Sequence, residues 1–209
     1  MPASHWPFKL LHDAAQQWLA NCIFLPAPIL LMAVNPRPQL HALEALGLCL
    51  WAAAWAFETA ADTQKMRFLR AARERGDVAT AVLGHAPYDG PAYRLWTLCR
   101  HPNYFGEFAC WLGLCLGAVP SLWALVSEGQ VSRLNAGLWA FTLLAILRLF
   151  YDCLLDWTGA GPAEYYSGRK RPAYAAYQAA TRCFFPLELP LVDHHRVPGW
   201  PLNVGQGGR

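Results

Sequence analysis

Residues 100–107 read Arg-His-Pro-Asn-Tyr-Phe-Gly-Glu, which sets a cation, an imidazole, an amide, a phenol and a carboxylate side by side. The run leads directly into residues 108–126, almost wholly apolar and long enough to cross a bilayer core of about 30 Å. Polar groups at the mouth of such a segment are costly unless they bind something or pair with one another. Pro102 suits the first turn of a helix. The free N–H groups and dipole of that turn would then favour an anion beside Arg100 and His101, and a phosphate fits that chemistry.

Two further groups invite the same question. Glu58, Asp62 and Lys65 share one helical face at spacings of four and three residues. This is the pattern of a solvated ion-pair ladder, although Glu58 follows three apolar turns. Arg148 interrupts an apolar run, with Asp152 and Asp156 following at intervals of four. An arginine within a spanning helix costs roughly 2.5–3.5 kcal/mol on insertion scales, so it requires a partner. Two readings stay open: an internal Arg148–Asp152 pair, or an Arg148 that faces an anionic ligand. No glycine-rich dinucleotide fingerprint, phosphate-binding P-loop, nucleophile elbow or H-E-x-x-H motif occurs.

The elements that must position these residues are helices in a membrane. Of 209 residues, 55% are hydrophobic and only 15% are charged. The apolar residues gather into four blocks of about spanning length, 18–34, 42–61, 108–126 and 135–155. These predict an all-α integral membrane fold: one membrane-embedded domain over 1–209, a bundle of about four spanning helices with a cytoplasmic cofactor-enclosing loop region. The second block continues without a breaker to Arg70 as a helix leaving the membrane. Residues 62–101 form the cytoplasmic loop and 156–209 a cytoplasmic C-terminal segment, its first part a long loop around Gly159–Pro162. Gly113 and Gly117 have the spacing that lets helices approach closely. Seven cysteines without a C-x-x-C pair suggest helix packing, with no disulfide framework and no metal site. The net charge of +3 is too small to indicate nucleic acid. No cleavable signal peptide is evident. Basic residues crowd 65–100 and 169–182, while 35–41 and 127–134 hold only Arg37 and Arg133. The positive-inside rule therefore places both termini in the cytoplasm, with a bacterial inner membrane as the expected location.

The run from Trp96 to Glu107 resembles the signature of the DUF1295 group of membrane proteins, relatives of the steroid 5α-reductase C-terminal domain. Residues 57–65 and the segment from Arg171 through Tyr174, Tyr177 and Thr181 to Pro186 resemble two further pieces of that group, in order. The resemblance implies that the cytoplasmic helix ends enclose NADPH and deliver hydride to an activated carbon–carbon double bond of a steroid- or isoprenoid-like lipid. By similarity Asp62, Asn103 and Glu107 hold the nicotinamide end. Arg67, Arg100 and Arg182 serve the phosphates, and Tyr174 or Tyr177 lines the pocket. His101 and Arg148 join them from the reading above, and Tyr104, Glu107 and Tyr177 are the candidate catalytic residues.

Isoprenylcysteine and phospholipid methyltransferases also carry Arg-His-Pro-x-Tyr before a helix, and they enclose S-adenosylmethionine. Asn103, Glu107 and the lack of a Glu-Glu pair after the last helix, where only Glu164 stands, weigh against that alternative. The resembled group usually has further spanning helices ahead of the first block. A partner subunit or a second copy that completes the site is therefore an expectation, as is a third reading in which the chain is a non-catalytic membrane subunit.

Overall fold

The computed structural model describes residues 6–19, 22 and 25–199. Its regular elements are helical: α1 (Trp6–Leu19), α2 (Ala27–Ala33), α3 (Ala42–Arg75), α4 (Arg94–Leu98), α5 (Pro102–Ser127), α6 (Arg133–Asp152), α7 (Ala160–Lys170) and α8 (Tyr174–Ala180). Among the described residues one β-bridge joins Cys99 to Arg182. Two helical stretches are long and apolar enough to cross a membrane, Pro102–Ser127 and Arg133–Lys170. Only 22% of the most apolar window of the second is buried within the chain, so its apolar surface must be covered from outside. On α6 that surface is a stripe of Leu134, Leu138, Phe141 and Leu144, each well over half exposed.

The four expected blocks fare differently. The third matches α5, which starts at Pro102, where the missing N–H costs nothing. The second lies wholly within α3, a helix of 34 residues that ends at Arg75 with Arg73 and Arg75 in its last turn. The fourth is α6, followed by a π-helical turn, Cys153–Trp157. The first is not one helix. Part of it falls on residues 20, 21, 23 and 24, outside the described residues, and the rest is the end of α1 and the 7-residue α2. At 1.5 Å per residue, α2 spans about 10 Å, too short to cross a bilayer. The loop expected after the fourth block is instead helix. Pro162 falls in the first turn of α7, where proline is tolerated, and Arg169 and Lys170 complement the dipole at its end.

The chain divides into two compact units. The first joins Met1–Cys49 to Trp111–Arg148. In it the α3 and α5 backbones touch: a Cβ on Gly47 would lie 2.5 Å from Gly117 N and 2.6 Å from Gly113 O. The glycine spacing in α5 is thus a packing device. Glu44, in the first turn of α3, accepts from the His41 N–H at 2.8 Å, Asn35 at 2.7 Å and Ser121 at 2.9 Å, a capping arrangement that accounts for its burial. The second unit joins Leu50–Cys110 to Leu149–Arg209 and holds most of the chemistry-bearing residues. Its cores are Phe68, Ala72, Ala81, Leu83, Tyr88 and Trp96 on one side, and Leu154, Leu155, Ala160, Cys183 and Phe184 on another. The stretch from Gly76 to Tyr93 is therefore packed down onto α3.

Candidate functional site

Arg100 is 1% exposed and lies between α4 and α5. Its Nε donates to Glu164 Oε1 at 2.7 Å and its Nη2 to Glu164 Oε2 at 3.2 Å. The remaining donors go to three carbonyls: Gln178 at 2.9 Å, Thr181 at 2.6 Å and Arg196 at 2.6 Å. A guanidinium has five N–H groups, and all five are spent. Glu164, on α7 and 2% exposed, also accepts from His101 Nε2 at 2.8 Å and Gln178 Nε2 at 2.7 Å. Burial alone would raise its pKa, but the hydrogen bonds from His101 and Arg100 outweigh it and hold the carboxyl below its ordinary range. For Arg100, burial opposes the charge and Glu164 more than restores it. Burial pushes His101 below the usual imidazole value, so the ring is neutral at pH 7 and Nε2–H is the donor to Glu164.

Cys183 brings its sulfur to 3.8 Å from Glu164 Oε1, and His101, Glu164 and Cys183 place ligand atoms within 4.8 Å of one another. That spacing would suit a metal, but the guanidinium already occupies both carboxylate oxygens, and its charge opposes a second cation there. Burial pushes the Cys183 and Cys99 thiols up to about 12. Neither is a thiolate near neutral pH.

Beside this network lies a cavity of about 180 Å³ between α3, the packed Ala81–Leu83 stretch, α5, α7 and α8. Its walls include the rings of Phe68, Trp96, Tyr104, Tyr174 and Tyr177. Three lining residues are permanent cations, Lys65, Arg100 and Arg171, and no carboxylate is among the lining residues. Lys65 Nζ sits 5.9 Å from the centre of the Trp96 ring. Tyr104 stacks on His101 with centroids 5.4 Å apart. Tyr177 donates its hydroxyl to Trp96 O at 2.5 Å, and burial raises the pKa of both Tyr174 and Tyr177. Gly84 enables this contact: at φ +86°, a Cβ there would strike Trp96 O and lie 2.7 Å from the Tyr177 hydroxyl. Two buried polar atoms in the wall have no partner among the described residues, Asn103 Oδ1 and Arg171 Nε.

Of the residues singled out in the sequence, His101, Asn103, Tyr104, Tyr174 and Tyr177 converge on this cavity. Asp62 is exposed on α3 and reaches it indirectly, accepting from Asn103 Nδ2 at 3.1 Å. Glu107, one turn beyond Asn103, and the exposed Arg67 are not among its lining residues. Arg148 is exposed on α6 and belongs to the first unit. The expectation that Arg100 serves a phosphate fails on its geometry, because no donor is left. Arg182 turns elsewhere, pairing with Glu188 at 2.7 Å in a separate pocket with His194 and His195. Asp156 pairs with Arg196 at 2.7 Å. Glu164, the hub, enters the sequence analysis only as the lone glutamate after the last helix, not as a site residue. Its signal was charge isolation: it is the only acidic residue between Asp156 and Glu188, in a segment with four cations.

A family model described as "Protein of unknown function (DUF1295)" matches residues 5–181. The chain belongs to the DUF1295 family. No curated protein and no solved structure matches it. The DUF1295 match takes in Arg100, His101, Glu164, Gln178 and the whole cavity wall, and it ends at Thr181. The last partner of Arg100, the Arg196 carbonyl, lies beyond it.

Proposed function

We propose that this protein is an NADPH-dependent membrane reductase acting on a carbon–carbon double bond of a steroid- or isoprenoid-like lipid, with the cavity of the second unit receiving one ring of the dinucleotide. The observation that carries the reading is the character of that cavity: the cations Lys65 and Arg171, which Glu164 does not neutralise, aromatic walls and no lining carboxylate. Such a lining favours a polyanionic ligand with planar rings over S-adenosylmethionine, whose sulfonium is itself a cation. The volume of about 180 Å³ suits one ring system, so the remainder of the dinucleotide lies outside it. Asn103 Oδ1 is an acceptor without a donor, and a carboxamide N–H would satisfy it.

When bound, NADPH would supply the hydride. This chain orients and shields: Tyr174 and Tyr177 close one wall, and Asp62 fixes the Asn103 amide by accepting from Nδ2, leaving Oδ1 toward the ligand. Among the candidate proton donors, Tyr177 has its hydroxyl committed to Trp96 O, and Glu107 is outside the lining, which favours Tyr104. In this reading α5 and α6 are joined in the membrane by the apolar part of α3 and a further span near the N-terminus. The site then opens to the cytoplasm, both termini are cytoplasmic, the membrane is a bacterial inner membrane, and the lipid enters from the bilayer. A second copy or partner subunit completes the lipid side.

The test is ligand stabilisation of the detergent-solubilised protein. NADPH at saturating concentration should raise its melting temperature by several degrees, and S-adenosylmethionine should not. Stabilisation by S-adenosylmethionine alone would transfer the site to a methyltransferase. Stabilisation by neither would favour a non-catalytic subunit.

A further inference from the structure

The geometry points to Lys65, Ser167 and Arg171 as the anion clasp of this cavity, the place where phosphate oxygens of the ligand dock. The inference rests on the dinucleotide reading above but reassigns its anionic end. Sequence position singles out Arg100, which stands in the Arg-His-Pro motif, yet its donors are all consumed inside the protein. Arg182 and Arg67 are absent from the lining. The cations that remain are Lys65, from the outgoing end of α3, and Arg171, which caps the C-terminus of α7.

Arg171 is only partly used. Its Nη1 donates to Ser167 Oγ at 3.0 Å, which fixes the guanidinium against α7, while its Nε is buried without an acceptor. A buried guanidinium N–H without an acceptor is costly, more so than a neutral donor, because it carries charge. A phosphate oxygen would satisfy it, with a charge-assisted bond and a planar fork that matches the anion. Ser167 adds a hydroxyl one helical turn earlier, on the same wall. Lys65 is exposed and held over Trp96, able to swing onto the same anion as a point charge. Pro172 directly follows Arg171 and ends the helix there, so Arg171 is the last residue of that wall on α7.

The experiment compares the full-length wild type with Arg171→Gln and Lys65→Gln in detergent, reading affinity for NADPH and for inorganic pyrophosphate alone, and the melting temperature of each protein without ligand. The expected result is a rise in the NADPH dissociation constant of at least tenfold in Arg171→Gln and a smaller rise in Lys65→Gln. Pyrophosphate should stabilise the wild type but not Arg171→Gln, and the ligand-free melting temperatures should agree within about a degree. NADPH binding that is equal in all three proteins overturns the clasp and leaves the reductase reading standing. Pyrophosphate stabilisation lost in Arg171→Gln, without any NADPH binding, upholds the clasp and sinks the dinucleotide. Binding of neither probe to the wild type overturns both.

Discussion

At the scale of single residues, the decisive pattern is how completely Glu164 is surrounded. Its carboxylate meets Arg100, His101 and Gln178, which fills the four lone-pair sites a carboxylate offers. Loss of one member of such a buried pair strands the other at a cost of about 3–5 kcal/mol. The network also fixes a pH response. Both His101 and Glu164 have depressed pKa values in the folded protein, the first by burial, the second by hydrogen bonds that outweigh burial. A depressed group holds its stability above the unfolded value and loses it as pH falls, because the unfolded chain then binds more protons. The melting temperature should therefore be flat between about pH 7 and 8 and fall on the acid side in two phases: below about 6.5 as His101 resists protonation, then below about 4.5 as Glu164 does. His101→Gln keeps an N–H for Glu164 and cannot titrate. It should lose the upper phase alone in thermal melts between pH 7 and 5.5, and an unchanged upper phase would refute the assignment.

At the scale of elements, the stretch between α3 and α4 matters most. Gly84, Pro87 and the Asp89–Gly90–Pro91 run mark a turn in the sequence, but their packing is set by rings: Tyr88 meets Phe68 edge-on at 4.9 Å and donates to Asp77 at 2.8 Å. Trp96 adds an indole hydrogen bond to Ala61 O at 3.0 Å. Gly84 is the pivot, since its φ of +86° and its contact with Trp96 and Tyr177 both exclude a side chain. Gly84→Ala should destabilise the protein by more than about 1 kcal/mol and speed proteolytic cleavage between residues 76 and 93 in a time course on the solubilised protein. Cleavage at the wild-type rate would show that the stretch is held by other contacts. The helix ends follow simple capping logic, while the course of the tail does not. It returns through Cys183 N–H to His194 O at 2.6 Å and Arg196 O to Arg100, contacts with no local sequence pattern.

At the scale of the whole molecule, the question is which surfaces water sees. Basic residues accumulate in the last third of α3 and after α6, and the stripe along α6 is apolar and uncovered. If four segments span, Gly84 is cytoplasmic and Gly129 lies on the opposite side. Single cysteines placed at those two positions, with Cys22 and Cys49 replaced, should react with a membrane-impermeant maleimide in intact cells at 129 and only after lysis at 84. Reaction of both on the same side would discard the four-span arrangement.

The sequence by itself determined the helices that cross apolar ground and the identity of the cavity's core motif. Long apolar runs with proline at a first turn and cations at a last turn admit one local structure, and the Arg-His-Pro-Asn-Tyr run stands at the start of α5 as its proline requires. It also brought Asn103, Tyr174 and Tyr177 to notice, and these do meet. Only the tertiary structure decided which cation is spent and which is free. The partners that consume Arg100 lie 64 to 96 residues away in the chain, and a count of donors and acceptors across such distances has no signature in spacing. Charge alone makes Arg100 and Arg171 equivalent, whereas burial beside Glu164 turns the first into a brace and the second keeps an unpaired N–H in the cavity wall.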